Sequence, residues 1–497
     1  MTHPVYAAAR AMAWFGSLVL VLPDWQRGVR RMLSMLGIVL GLGLLIGLAY
    51  RGVSVVLLAP VAATVAVLLT PEAPVLASYT QVFMKALGGF VVLYFPLFML
   101  GALFGKLMEV SGAALAIAQA IVRRLGAGQA ILAVASACAL LTYGGVSLFV
   151  VAFAVYPIAA ELFRQAQVPK RLVPATIALG AFTFTMTAMP GTPAIQNAIP
   201  MPYFGTTPFA APGLGVLASL VMGVGGWAWL AWRFAQARGQ GEGYGLYDEG
   251  PASPAVATAA PPTPLPLWAA LSPIVAVLLL NLVVGEWWLP QLNTTYLAEA
   301  LYGPTRLDAV RGVWAIIVAL CAAIALLVIL AWRRLPRGIQ VFNDGVAASV
   351  MPMFNTASLV GFGAVVASLS GFGMIRDVVM GLGGDNVLVS LAIVVNVLAG
   401  ITGSASGGMS IALQALGDDY LAMGQAQGVS PEVMHRVTSI ATGGLDALPH
   451  NGAVITLLEI CRLNHRQSYG DIAMVAVIIP LLALSLVIVL GTVWGSF

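Results

Sequence analysis

Apolar segments of about 20 residues fill most of this chain, and each is long enough to cross a bilayer as one helix. Of its 497 residues, 60% are hydrophobic and only 8% are charged. A soluble protein is excluded, because a water-facing surface needs far more charge than this. Within lipid, a helix satisfies its backbone polar groups internally. The sequence therefore predicts an all-α polytopic membrane protein with about 10–11 spans.

Two of these segments contain a break that an unbroken helix cannot accommodate. Thr442–Gly452 contains two glycines, a proline and another glycine, and Thr185–Asn197 contains two prolines around a glycine. Proline and glycine both interrupt helices. At bilayer depth, broken backbone is tolerated only where it is buried in protein or lines a cavity. We therefore expect two broken transmembrane helices, at about 171–199 and 434–461; the alternative for each is a simple proline kink.

The two breaks belong to an internal duplication. Pro190 and Pro449 lie 259 positions apart, and other residues recur in order at the same offset. The recurring residues are Gln81-Val82-Phe83 with Gln340-Val341-Phe342, Ser111-Gly112 with Ser370-Gly371, and Gly144 with Gly403. An ordered set of matches at one offset is typical of a repeated structural unit.

A glycine-rich tip divides the apolar segment that precedes each break. The tips are Tyr143–Gly145 and Thr402–Gly408. Two short apolar arms around such a tip predict a re-entrant hairpin, at about 129–161 and about 386–420. The alternative is one kinked span.

The order of these elements predicts the domains and their orientation. Residues 1–32 form an N-terminal extension or an extra span, 33–233 the first repeat, and 266–497 the second. Residues 234–265 are rich in glycine, proline and alanine, which is typical of a linker. A lone span at 266–286 makes the number of crossings between repeats odd, so the second repeat is inverted, as in secondary carriers. Basic residues concentrate on the linker side, which is therefore cytoplasmic.

Helix ends at the breaks and tips suit a small anion. Half-helix N-termini present unpaired N–H groups with partial positive charge. This interpretation places Arg436 outside the membrane and no Arg or Lys within the broken elements, so a monocarboxylate is favoured over a di- or tricarboxylate. Each Ser or Thr could instead bond its own helix. The candidate substrate-binding residues are Thr142, Gly144, Gly145, Ser147, Gly191, Thr192, Gln196, Asn197, Gly403, Ser404, Ser406, His450 and Asn451.

Asp446 is the candidate for coupling transport to an ion. Burial favours the neutral form of a carboxyl group, so Asp446 could take up and release a proton during transport. His450 is a second coupling candidate, with a purely structural role as the alternative. Sodium bound by backbone carbonyls of the Ser- and Thr-rich tips is the alternative ion. No cofactor or metal site is predicted, because the three cysteines and four histidines are scattered.

These stretches resemble the gluconate permease (GntP-type) family of the ion transporter superfamily, especially its hydroxybutyrate permease-like branch. The matching stretches are Leu141–Ser147, Gly180–Pro193, Tyr203–Pro208 and Gly443–Gly452, within a likeness that spans about 33–497. The resemblance implies proton-coupled import of a small hydroxy-monocarboxylate, such as 3-hydroxybutyrate or gluconate, across the inner membrane of a bacterium. It also implies a homodimer with an elevator-like transport domain, and no nucleic-acid partner. The family's His-Pro pair is Met189-Pro190 here, which argues against gluconate. An anion channel is the rival function; an enzyme is not expected, since no nucleophile stands beside a base.

Overall fold

The computed structural model describes residues 28–49, 51, 53–245, 265–335, 338–384 and 386–497. Most of the predicted N-terminal extension, and residues 246–264 of the predicted linker, lie outside the described residues. The described residues form helices joined by turns and contain no strand. An all-α membrane protein is the predicted class, and the structure confirms it.

Eleven helices form the first half of the described chain. They are α1 (Gly28–Ala49), α2 (Val55–Leu68), α3 (Val75–Val110), α4 (Ala113–Leu125), α5 (Ala130–Tyr143), α6 (Leu148–Gln165), α7 (Val173–Ala181), α8 (Phe184–Thr187), α9 (Ile195–Ala198), α10 (Pro200–Phe204) and α11 (Pro212–Gly239).

Nine helices form the second half. They are α12 (Leu267–Leu282), α13 (Leu307–Ala331), α14 (Gly338–Ser368), α15 (Phe372–Gly381), α16 (Val387–Thr402), α17 (Ala405–Ala426), α18 (Pro431–Leu445), α19 (Gly452–Ile460) and α20 (His465–Trp494). Helix α12 continues through irregular helical turns to Gln291.

Eight helices of the described chain are long and apolar enough to cross a membrane. Helices α2 and α16 are apolar but shorter than 18 residues. The chain bends by 101° between α4 and the helical segment that contains α5. This bend separates the amphipathic connector α4 from the first arm of a hairpin.

The order of elements repeats in the two halves. In the first, a long helix, a connector, a two-helix hairpin, a broken segment and a final span follow one another as α3, α4, α5–α6, α7–α10 and α11. In the second, the same order is α14, α15, α16–α17, α18–α19 and α20. Helix α13 corresponds to α2, and each follows another apolar helix, α12 before α13 and α1 before α2. Helix α1 packs on α2 through Gly37 and Ala66, as α12 packs on α13.

Packing across the two halves builds the interior. Helices α3 and α14 pack along each other, and α14 also contacts α2 and α17. Each hairpin's arms pack together, with α5 against α7 and α16 against α18. Helix α12 packs on α13 and α4. This arrangement surrounds both breaks with protein, as exposed backbone in lipid requires.

Candidate functional site

The first hairpin tip lies directly on the first break. The chain leaves α5 at Tyr143 and turns through Gly145, whose φ of +93° is a left-handed conformation that glycine adopts readily. A Cβ at Gly145 would lie 2.9 Å from the ring of Pro193. The Tyr143 hydroxyl donates a hydrogen bond to the Pro190 carbonyl at 2.8 Å. The tip and the break are therefore in contact.

The first break is an extended loop folded back on itself. Between α8 and α9, Gly191 donates its N–H to the Pro208 carbonyl at 2.9 Å. The Asn197 side-chain amide donates to the carbonyls of Thr192 (3.1 Å) and Pro208 (2.9 Å). Asn197 thus holds the loop that contains Thr192 against the chain that follows α10.

The second hairpin tip lies on the second break in the same way. Gly403, at φ +61°, ends α16, and its carbonyl accepts a hydrogen bond from the Asn451 amide at 2.7 Å. The His450 Nε2 lies 3.1 Å from the Gly400 carbonyl. Both bonds join the tip to the residues that follow Pro449.

The second break is short and capped. It runs from Asp446 to Asn451 between two regular helices. The Asn451 Oδ1 accepts from the backbone N–H groups of Ala453 (2.6 Å) and Val454 (3.4 Å), which caps α19. In the described chain, the Asp446 carboxylate makes no ion pair and no hydrogen bond to another residue. Asp446 is therefore an ionisable group without a structural partner in that part of the chain.

A fully buried arginine joins the two breaks. The Arg436 guanidinium donates to the carbonyls of Ala210 (2.7 and 3.0 Å), Pro208 (3.4 Å) and Thr187 (3.4 Å), and to Asn197 Oδ1 (3.1 Å). These five contacts match the five N–H groups of the side chain. Arg436 is thus used entirely in holding α18 to the first break.

His435 adds a second connection. Its Nε2 lies 3.1 Å from Asn197 Oδ1, and its Nδ1 lies 2.6 Å from the Thr206 hydroxyl. Because the Asn197 amide nitrogen already donates to two carbonyls, its Oδ1 must be the acceptor. In this arrangement Nε2 carries the proton and Thr206 donates to Nδ1.

The burial of Arg436 was not predicted. The side chain lies in α18, part of the second broken segment, with none of its surface exposed, so the expectation of no Arg or Lys within the broken elements is wrong. The sequence interpretation failed because the acceptors come from the opposite half of the chain, 226 positions away for Ala210. A signal was available, since His435 and Arg436 stand together in a segment that also continues into the break.

The remaining candidate residues differ in their hydrogen bonding. Thr142 Oγ1 and Gln196 Oε1 are buried without a partner among the described residues. Thr192 is buried and accepts a bond from the Ala194 N–H at 3.3 Å. Ser147 is exposed at the start of α6, and its side chain does not cap that helix. Of these residues, Thr142 and Gln196 therefore keep polar groups that the described residues leave unpaired.

Hydroxyl groups gather at the second tip. Ser404 caps α17 by accepting from the Gly407 N–H at 3.1 Å. The Ser406 hydroxyl lies 3.3 Å from that of Thr356 on α14 and 3.5 Å from that of Ser404. Ser404 and Ser406 thus already have protein contacts.

Two asparagines in apolar helices were missed by the sequence interpretation. Asn281 on α12 donates to the Gly191 carbonyl at 3.0 Å, and Asn396 on α16 donates to Ala392 at 3.1 Å. The Oδ1 atoms of both are buried without a partner in the described chain. A lone amide within an apolar membrane helix was the signal, because polar residues at such positions are costly and often functional.

Charged residues at the predicted cytoplasmic end tie the linker to the first broken helix. Arg171, just before α7, forms two hydrogen bonds with Glu242 (2.8 and 2.9 Å) and one with Asp471 (3.1 Å). Arg233, in the last two turns of α11, also pairs with Asp471, at 2.8 Å. The Arg171 guanidinium lowers the pKa of Glu242. This cluster anchors the start of α7 to its neighbours.

Helices of membrane-spanning length and two hairpins docked on broken segments define a polytopic membrane transporter. The chain is 45% identical over 453 residues to the uncharacterized transporter YxjC of Bacillus subtilis (strain 168), which covers 89% of this chain and 95% of that protein. It therefore belongs to the same transporter family as YxjC. No family model matches the chain.

A solved structure supports the fold. The Alcanivorax borkumensis YdaH transporter, whose crystal structure is described as having an unusual topology, superposes with a TM-score of 0.54. The comparison covers 85% of this chain and 89% of that one, at 18% identity. At this identity the likeness concerns the fold.

Proposed function

We propose that this transporter is a secondary active carrier that imports a small hydroxy-monocarboxylate, such as 3-hydroxybutyrate, together with protons. The observation that carries the proposal is the docking of each hairpin tip on a break, through Tyr143 and Pro190 in one half and Gly403 and Asn451 in the other. Broken helices that meet hairpin tips are typical of substrate sites in carriers with inverted repeats. The gluconate permease resemblance, in its hydroxybutyrate branch, supports the same class.

A single carboxylate suits the groups that remain available. A di- or tricarboxylate would favour a free guanidinium, and all the donors of Arg436 are engaged with protein acceptors. The start of α6, an 18-residue helix, has N–H groups that Ser147 does not cap. These N–H groups and the partial positive charge of the helix end bind the substrate carboxylate.

The coupling ion is a proton carried by Asp446. This carboxylate lies in the second break without an ion-pair partner among the described residues. An unpaired carboxyl group inside a membrane protein can exchange a proton as its surroundings change. His450, held near the Gly400 carbonyl, positions the neighbouring turn.

Sodium is the second candidate ion, favoured by the hydroxyls at the second tip. Thr356, Ser404 and Ser406 place three oxygens within 3.5 Å of their neighbours. Oxygen ligands of this kind suit a hard cation. The two ions predict opposite responses to imposed gradients.

The transport movement follows an elevator scheme in a homodimer at the inner membrane of a bacterium, as the family resemblance implies. Arg436 links α18 to the first break, so the two breaks move as one body. An anion channel would not require such a link between two separate breaks.

Uptake into proteoliposomes tests the proposal. Labelled 3-hydroxybutyrate should accumulate above its external concentration when the lumen is alkaline and sodium is absent, and an uncoupler should abolish the accumulation. Accumulation driven only by a sodium gradient would identify sodium, not the proton, as the coupling ion. Equilibration without accumulation under either gradient would indicate a channel and contradict the carrier proposal.

A thermal-shift screen addresses the substrate class. Stabilisation is expected from 3-hydroxybutyrate, glycerate or lactate, and less from gluconate. Stabilisation by citrate alone would contradict the monocarboxylate proposal.

A further inference from the structure

Helix α12 comes directly before the second set of repeated elements, and one of its faces lies along the first tip and break. Ile274 packs against Gly144 of the tip, close enough that a Cβ there would lie 2.7 Å from its side chain. Seven residues later, two helical turns along the same face, Asn281 donates to the Gly191 carbonyl at 3.0 Å. Beyond α12, Glu286 accepts a hydrogen bond from Thr207 at 2.6 Å.

The orientation of the Asn281 amide is fixed. Its nitrogen donates to Gly191, so its Oδ1 is the atom left over. None of the side-chain surface is exposed, and Oδ1 has no hydrogen-bond partner among the described residues. A buried, unpaired amide oxygen is costly, so its retention calls for a partner that the described residues do not supply.

Two further unpaired oxygens belong to the elements that meet here. Thr142 Oγ1 lies next to Tyr143, which bonds to Pro190, and only 3% of the Thr142 surface is exposed. Gln196 Oε1 is on α9, which directly follows the loop that contains Gly191, and 9% of that residue is exposed. Three elements that border the loop containing Gly191 therefore each carry an unpaired oxygen.

The chemistry of these atoms selects the group they bind. Asn Oδ1 and Gln Oε1 only accept hydrogen bonds, so they repel a carboxylate and attract a donor. A substrate hydroxyl is such a donor, and it can also accept the hydrogen of the Thr142 hydroxyl. The carboxylate of the same molecule then points away from Asn281, toward helix N–H groups.

Building on the proposed import of a hydroxy acid, we propose that Asn281 is a specificity-determining residue whose Oδ1 accepts a hydrogen bond from the hydroxyl group of the transported acid. Thr142 and Gln196 complete the hydroxyl subsite. An acid that lacks the hydroxyl leaves these oxygens unpaired, which is how a site built for a hydroxyl rejects the analogue without one.

The test compares two probes that differ in one hydroxyl, 3-hydroxybutyrate and butyrate, on the purified full-length protein in nanodiscs. The wild type should bind 3-hydroxybutyrate at least about tenfold more tightly than butyrate. Asn281→Leu, close in size and without polar atoms, should weaken 3-hydroxybutyrate binding about tenfold and leave butyrate binding within about twofold. Thr142→Val should shift the ratio in the same direction.

Ser272→Ala is the matched control on α12. Within the described residues its hydroxyl bonds to the Ala269 carbonyl of its own helix, at 3.3 Å, so the preference for the hydroxy acid should not change. Retained butyrate binding by Asn281→Leu shows that this variant is folded. Should it fail to fold, Thr142→Val carries the same comparison.

The outcomes separate the subsite from the carrier proposal. A wild type that binds 3-hydroxybutyrate, with variants that lose both acids equally or neither, overturns the subsite alone. Loss of a sodium dependence in Asn281→Leu, at unchanged selectivity, overturns it in favour of a cation. A wild type that binds no hydroxy-monocarboxylate overturns the proposed function and the subsite together.

Discussion

The two breaks differ in length, in what closes them and in the groups they leave unpaired. The first extends from α7 through two very short helices, and a third helix, α12, contacts it. The second spans only Asp446–Asn451 between regular helices. The first leaves neutral oxygens of Thr142 and Gln196 unpaired, whereas the second holds a carboxylate.

This difference shows that the two copies of a duplicated unit can carry different functional groups. The first break, from 182 to 199, contains no acidic or basic residue, so it can recognise a neutral polar group but cannot exchange a proton. The second contains Asp446 and His450, and the unpaired Asn396 Oδ1 lies against Gly444 just before it. On the proposed function, recognition belongs mainly to the first break and coupling to the second.

Replacement of Arg436 is expected to cause the largest loss of stability, because this side chain joins α18, which leads into the second break, to the first break. Arg436→Leu removes two hydrogen bonds to the Ala210 carbonyl and one each to Thr187, Pro208 and Asn197 in the interior, and should cost at least about 3 kcal/mol of stability. Size-exclusion profiles and thermal unfolding in detergent measure this loss. Arg124→Ala, at an exposed position of α4, is the control. Equal melting temperatures for the two variants would contradict the link.

Asp446→Asn should remove coupling while the second break stays folded. Asparagine keeps the size and one oxygen but cannot take up a proton. We expect accumulation in a pH gradient to vanish, substrate exchange to persist, and stability to change by about 1 kcal/mol or less. Counterflow and gradient-driven uptake in the same proteoliposomes measure both activities. Normal accumulation by the variant would show that another residue carries the proton, and His450 would be the next residue to test.

A matched pair of asparagines compares the breaks directly. Asn197→Ala removes bonds to Arg436, His435 and two carbonyls, and should cost about 3 kcal/mol. Asn451→Ala removes one helix cap and one bond to Gly403, and should cost about 1.5 kcal/mol. Thermal unfolding of both variants gives the order. A larger loss of stability for Asn451→Ala than for Asn197→Ala would contradict this order and would show that the side-chain bonds at the second break contribute more to stability.

The smallest loss of stability is expected for substitutions near the starts of the two broken helices. Glu242→Gln removes an ion pair with Arg171 near α7; the carboxylate is 38% exposed, so screening limits the loss to about 0.5 kcal/mol. The ion pair lowers the pKa of Glu242 in the folded protein. Its contribution to stability is therefore fully present above about pH 4.3, the pKa of a glutamate in the unfolded chain, and is lost as the pH falls through the lowered pKa of the folded state.

Melting temperatures of Glu242→Gln and wild type should therefore differ at pH 7 and converge in acid. Ser430→Ala is the counterpart, because Ser430 caps α18 through the Val433 N–H at 3.4 Å. Its cost, about 1 kcal/mol, should not depend on pH. A pH-independent difference for Glu242→Gln would rule out the ion pair as its cause.

Much of the architecture could be predicted from local patterns. The offset between Pro190 and Pro449 identified both breaks, because the interruption of a helix depends on the residues at that point. The glycine tips followed for the same reason. The bonding of side chains could not be predicted, because it depends on partners distant in sequence. Asn197 was predicted to bind substrate, but the structure engages its amide with Arg436, His435 and two carbonyls.

On the proposed function, the contact between α12 and the first break also has a consequence for the direction of transport. If the two halves were exact inverted copies, the inward-open and outward-open states would be related by a two-fold rotation and would have equal free energies. Helix α12 contacts the first break through Asn281 and Gly191, whereas α1, which precedes the first set of repeated elements, contains no asparagine. Whichever state keeps this contact is favoured at rest, so the empty carrier waits mainly on one side of the membrane, and substitutions on this face of α12 shift that resting population.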